Sequence, residues 1–188
     1  WSAHLEFAWQ GIRVRTDFVT RPPRIGQESL ARIWREAEGR EVPFATARDL
    51  AEMKKTNREK DYAVIGELAR LMFDPADQLL YSRSARDLIK LREQHPALAR
   101  TLAEKRPVLR ATEQGREALE VVLDAERRQL IRANEARLAR YLVAAEAWAA
   151  LWPALSHQVQ GLTLPEFHRR MVAEAEGVLP QGVPGGWP

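Results

Sequence analysis

The chain has 188 residues, 45% hydrophobic and 29% charged, with a formal net charge of +3 and no cysteine. That balance belongs to a globular chain long enough to bury a core, and the missing cysteines exclude disulfides, thiol nucleophiles and Cys-ligated zinc. The mild positive charge favours acidic partners only weakly, because acids are interleaved with the bases nearly everywhere. No apolar run approaches membrane-spanning length and no signal-peptide pattern is visible, so a soluble, cytoplasmic protein with no membrane partner is expected.

In chain order, the residues from Leu5 to Val19 alternate with a period of two. Leu5, Phe7 and Trp9 alternate with His4, Glu6 and Gln10, and Ile12, Val14 and Phe18 with Arg13, Arg15 and Asp17. The Gln10-Gly11 pair between the runs predicts a hairpin with one apolar and one polar face, on which Asp17 lies with Arg13 and Arg15. Arg21-Pro22-Pro23 ends the second strand, since consecutive prolines neither donate to a ladder nor enter a helix interior. Gln27 to Glu38 predicts a helix with Leu30, Ile33, Trp34 and Ala37 on one face and Gly39 at its end. Glu41 to Phe44 predicts a short third strand, placed at an edge by Pro43. A chain that opens on Trp1 rather than Met, close to its first strand, is expected to be a fragment, a processed product or a mis-started reading frame.

Thr46 to Met72 reads as two short amphipathic helices joined at a polar corner. Leu50 and Met53 keep helical spacing in the first, with Thr46 and Asp49 as an N-cap pair; Ile65, Leu68 and Met72 repeat at three and four in the second. Between the apolar faces lie Lys54, Lys55, Arg58, Lys60 and Asp61, a basic cluster with one embedded acid. On spacing alone the corner is either a fixed polar surface or a solvated turn.

Further along, Ser84 to Gln94 and Pro96 to Lys105 predict helical pieces stopped by Pro96 and Pro107. A long helix is expected from about Glu113 to Trp152, with Ile131, Leu138, Leu142, Ala145, Ala149 and Trp152 as its seam. Arg127, Arg128, Arg132, Arg137 and Arg140 alternate with acids along it, the pattern of a solvated face, with contact to nucleic acid as the alternative. Thr163-Leu-Pro-Glu166 is a capping box opening a last helix that ends at Gly177. The Gly- and Pro-rich tail over 180–188 is expected to be disordered. The four histidines have no ligand spacing, and the six tryptophans mostly fall at apolar positions as core or helix-contact residues, with Trp148 and Trp152 also placed to anchor a partner. No nucleotide-binding glycine motif, nucleophile elbow or zinc-protease helix is present.

The order D-L-x-x-M-K-K-T-x-R-x-K-D-x-x-V-I-x-x-L, from Asp49 to Leu68, resembles a segment of bacterial nucleotidyltransferase-like proteins related to the DNA polymerase beta superfamily, including toxin and abortive-infection types. The upstream segments GIRVRTDFVTRPPRI and EVPFATARDL resemble the same family's succession of strand, helix, strand and Lys-containing helix. The likeness covers roughly Leu5 to Met72. The family's most diagnostic motif, a Gly-Ser or Gly-Gly turn followed by two acids one residue apart on a strand, does not precede Leu5.

The resemblance implies an α+β class, with a partial nucleotidyltransferase-like sheet and flanking helices over 1–76, then an α-helical extension over 77–179 and the tail over 180–188. It implies transfer of a nucleoside monophosphate from a nucleoside triphosphate to an acceptor hydroxyl on RNA, a protein or a small molecule, with Mg2+ as cofactor. Asp17 matches the family's third metal ligand and a base for that hydroxyl. Lys54 and Arg58 would hold phosphate oxygens, and Lys60 with Asp61 would pair to fix the corner. Two Mg2+ ions need several carboxylates, and one cannot hold them, so this chain is expected to be inactive alone. Read without the resemblance, Asp17 is an edge-strand acid paired with its arginine neighbours. The alternatives for the whole chain are a non-catalytic scaffold or a helical protein-interaction module, and a sheet short of strands is expected to self-associate.

Overall fold

The computed structural model describes residues 2–19, 22, 24–42, 44–55 and 58–180, with the side chains of 2–5 and 18 outside that description. The chain divides into two compact units, one reaching to Leu130 and one beginning at Ile131.

The first unit opens with strands β1 (Ser2–Trp9) and β2 (Ile12–Val19), an antiparallel pair in which Trp9 faces Ile12, Phe7 faces Val14, Glu6 faces Arg15 and His4 faces Asp17. Gln10 and Gly11 both have positive φ, 50° and 77°, the requirement of a two-residue turn whose twist matches the strands. The apolar face predicted from the alternation is therefore formed. It is also uncovered: Phe7, Trp9 and Ile12 are 43%, 60% and 63% exposed. A two-stranded sheet with no packed face is marginally stable by itself.

Helix α1 (Gln27–Ala37) forms where predicted, and its last turn is closed by the N–H of Glu38 on the carbonyls of Trp34 and Arg35. No residue of α1 is buried, and Trp34 on its apolar face stands exposed. The expected third strand does not form among the described residues of Glu41 to Phe44: Glu41 and Val42 lie in a bend, Phe44 is irregular, and Pro43 lies outside the description. A strand needs a neighbour for its ladder, and the described sheet consists of β1 and β2 alone.

Helices α2 (Ala47–Lys54) and α3 (Glu59–Arg70) form a helical hairpin. The Oγ1 of Thr46 caps α2 by accepting from the N–H of Asp49, as predicted. Ala51, Ile65, Ala69 and Met72 form a small core that Tyr81 closes. Tyr81 comes from α4 (Pro75–Tyr81), which the sequence reading did not anticipate; Asp74 caps it through the N–H of Ala76, with Pro75 at its first position.

The larger core joins α4, α5 (Ala85–Gln94), α6 (Pro96–Leu102), a 3₁₀ segment (Pro107–Glu113) and the first turns of α7 (Arg116–Ala144) around Leu79, Leu88, Leu102, Leu109 and Leu119. Leu79, Leu88 and Leu119 are fully buried. The long helix expected from Glu113 to Trp152 is thus corrected at both ends. Gly115, at φ 94°, separates the 3₁₀ segment from α7, and α7 stops at Ala144 with α8 (Glu146–Gln158) following and running through Pro153.

The second unit holds the rest of α7, α8 and α9 (Leu164–Val178). The capping box forms at Thr163, where Glu166 accepts from the Thr163 N–H at 3.0 Å, and the Thr163 hydroxyl donates to the same carboxylate at 2.6 Å. Leu155 and Ala175 are buried in this unit, whereas Leu138, Leu142 and Trp152 of the expected seam remain exposed. Trp148 and Trp152, one turn apart, stack with ring centroids 6.2 Å from each other. The expectation that the tryptophans are core residues fails at Trp9, Trp34 and Trp152, because each stands on a face that the described residues of its unit leave uncovered. The tail expected to be disordered lies outside the described residues beyond Pro180.

Candidate functional site

The polar corner predicted between Lys54 and Asp61 is built by the end of α2 and the start of α3. Lys54 stands in the last turn of α2, Arg58 caps α3, and Lys60 and Asp61 occupy the first turn of α3, where they were expected. Asp61 is buried, and it takes the Arg58 guanidinium, Nε at 2.7 Å and Nη2 at 3.3 Å, rather than Lys60. The expected Lys60–Asp61 pair is corrected for a geometric reason. Neighbours along a helix point apart, whereas residues three apart lie on one face. Lys60 is left exposed.

The other acid of the motif is equally committed. Asp49 is buried; it accepts from the Thr46 hydroxyl at 2.7 Å and pairs with Arg32 of α1. Glu52 draws Lys55 to 2.6 Å and accepts from the Tyr81 hydroxyl, while the Lys55 ammonium lies 4.5 Å from the Tyr81 ring centre. Burial, with the Glu52 bond and charge added, pushes the Tyr81 phenol well above its ordinary value. Burial likewise raises the Asp77 carboxyl, against the pull of Arg48 at 3.5 Å.

Asp17 lies on a different element, exposed on β2 and in register with His4, and the hairpin's contacts are chiefly between its own strands. On the same face Glu6 and Arg13 form a two-point pair, at 2.9 and 2.8 Å. The structure therefore gathers Lys54, Arg58, Lys60 and Asp61 and leaves Asp17 on a separate element. Among the described residues no three His, Asp or Glu side chains come together as a metal ion would require. No step through Mg2+ follows from these residues.

A second polar cluster escaped the sequence reading. Arg106 is buried and directs Nε and Nη2 to the two oxygens of Glu126, each at 2.9 Å, and Nη1 to the Leu79 carbonyl at 2.7 Å. Arg83 reaches the same carboxylate at 3.3 Å and stacks 5.0 Å from the Tyr62 ring centre. The Tyr62 hydroxyl donates to the Leu123 carbonyl at 3.2 Å. Gly66 makes the approach of Arg83 possible: a Cβ there would meet the Arg83 Cβ at 3.1 Å. Burial lowers the basicity of Arg83, reinforced by the nearby charge of Arg106. Burial works to raise the Glu126 carboxyl, but the Arg106 bonds and the charges of Arg106 and Arg83 outweigh it and hold it below the ordinary range. Burial and the charge of Glu126 push the Tyr62 phenol up to about 12.

A faint signal for this cluster exists in the sequence. Leu119, Leu123 and Glu126 follow one another by four and three, so the acid continues the buried stripe of α7. An acid in an apolar stripe calls for a buried cation, and Arg106, held extended before Pro107, supplies it.

No family model matches the chain, and it finds no counterpart among curated proteins or solved structures.

Proposed function

We propose that the chain is a nucleotidyltransferase-like protein that holds a nucleoside triphosphate at the corner between α2 and α3, and that residues 1–188 alone transfer no nucleotide. One observation carries this reading. Lys54, Lys55, Arg58 and Lys60 lie at the end of α2 and the start of α3, where the buried acids Asp49 and Asp61 are paired with Arg32 and Arg58. Bases outnumber acids in this stretch, a balance that attracts an anion, and the start of α3 adds backbone N–H groups and a favourable dipole. Lys54 and Arg58 supply donors to phosphate oxygens, and Lys60 adds charge from the exposed side. Transfer to a hydroxyl on RNA, a protein or a small molecule belongs to a site with more carboxylates than Asp17. Incubation with labelled nucleoside triphosphates, Mg2+ and mixed RNA and protein acceptors should give no labelled product; product formation abolished by Asp17→Ala overturns this half of the reading.

A second reading, a non-catalytic scaffold or helical interaction module, is favoured by the uncovered apolar residues Phe7, Trp9, Ile12 and Trp34 on the hairpin and α1. Such surface drives self-association. Sedimentation should then show concentration-dependent association that Trp9→Ser/Ile12→Ser removes, and a monomer at every concentration counts against it.

A further inference from the structure

We propose that the cleft between α3, α5 and the start of α7 is an anion site for the phosphate groups of a small phosphorylated ligand, separate from the Lys54 corner. The cleft measures about 350 Å³, at the lower end of the range of small-molecule sites, about 300–1,000 Å³. Four guanidiniums line it, those of Arg83, Arg86, Arg116 and Arg127, against two carboxylates, Glu120 and Asp124. Arg83 and Arg106 share Glu126 behind it and Arg127 also takes Glu59, so the excess of positive charge in the cleft lies with Arg86 and Arg116.

The protein uses these donors unevenly: Arg127 is committed, its Nε and Nη2 to Asp124 and its Nη1 to Glu59, whereas Arg86 and Arg116 are not. Glu120 occupies only the Nε of Arg116, at 2.7 Å, and among the described residues Arg86 makes no ion pair. Arg83 lines the cleft with its side chain 8% exposed, and its Nε–H, buried, has no hydrogen-bond acceptor.

The backbone points the same way. In the first turn of α5 the Ser84 side chain satisfies the N–H of Asp87, at 3.3 Å, and the Ser84 carbonyl that of Leu88, at 3.0 Å. The N–H groups of Ala85 and Arg86 remain as the orphan donors of a helix start, on two residues that line the cleft. Guanidinium forks and helix-start N–H groups together match the several oxygens of a phosphate better than a lone carboxylate.

Inorganic diphosphate is the probe, added to the full chain and followed by amide resonances and calorimetry. Saturable shifts at Ala85 and Arg86 are expected. The Arg86→Ala/Arg116→Ala double variant, which removes two exposed side chains, should weaken binding by about tenfold or more. The Arg100→Ala/Arg110→Ala control, which removes the same charge from other exposed positions, should stay within about twofold of the parent at the α5 amides. Absence of saturable shifts at α5 with millimolar diphosphate overturns the site, and so does a control variant that weakens binding as much as the cleft variant does.

Discussion

Replacing Glu126 with alanine removes the carboxylate that, among the described residues, pairs with two buried guanidiniums. Arg106 and Arg83 have side chains 6% and 8% exposed, and Glu126 itself is 18% exposed. Two of its hydrogen bonds, both from Arg106 at 2.9 Å, are short and charge-assisted. At about 1.5–3 kcal/mol for each bond to a charged group, their loss amounts to about 3–6 kcal/mol, and removal of one member of a buried ion pair typically costs about 3–5 kcal/mol. Taking about 3–5 kcal/mol, the variant loses a large part of a normal domain stability of about 5–15 kcal/mol. Urea unfolding followed by circular dichroism at pH 7 measures the deficit, and Glu126→Gln, which keeps one acceptor, should fall between the two chains. The pH dependence gives a second check with a definite sign. Because the folded carboxyl lies below its ordinary value, its contribution is fully present above the unfolded glutamate value of about 4.3 and fades as pH falls through the folded value. The gap between parent and variant should therefore shrink on acidification below about pH 4. A deficit under about 1 kcal/mol at pH 7, or one that does not change on acidification, refutes the reasoning.

Leu88→Ala empties a fully buried position in the larger core and should cost about 2–5 kcal/mol in the same unfolding assay, whereas Val121→Ala at an exposed position of α7 should change stability by under about 0.5 kcal/mol. Thr163→Ala removes one half of the capping box of α9 and should cost about 1 kcal/mol, seen as faster amide exchange in the first turn of that helix.

Local patterns were legible where local chemistry decides the outcome. The alternation around Gln10-Gly11 yields the hairpin, Thr46 caps α2, Thr163 and Glu166 cap α9, and Lys60 and Asp61 open α3, because turns, caps and helical spacing depend on residues within a few positions. Features that depend on distant partners were not legible. Glu41 to Phe44 has strand-like residues but no neighbour to pair with, and Trp34 lies on an apolar stripe that the described residues of its unit leave uncovered. The helix expected through Gly115 breaks there, since a residue at φ 94° cannot continue an α-helix. The Lys54 to Asp61 corner was legible as a place, but its internal pairing was not. Arg58 rather than Lys60 takes Asp61 by virtue of helix geometry, and Arg32, which takes Asp49, lies 17 residues upstream. Arg83, Arg106 and Glu126 were hidden because charged residues read as solvated until folding shows that they share one buried place.

The most direct test is titration of the parent chain and its corner variants with a nucleoside triphosphate, read by calorimetry. Lys54→Ala and Lys60→Ala are the informative changes, because Arg58→Ala would also remove the guanidinium bonds to the buried Asp61 carboxylate, whereas Arg58→Lys keeps a charge beside it. A charge-assisted bond worth about 1.5–3 kcal/mol implies that Lys54→Ala weakens binding about tenfold or more, while exposed solubilising charges, worth about 0–1 kcal/mol, leave it unchanged. The proposal is met if the parent binds the triphosphate saturably, Lys54→Ala loses about tenfold or more and Arg58→Lys loses measurably less than that. It is contradicted if the parent does not bind, or if all three variants bind as the parent does.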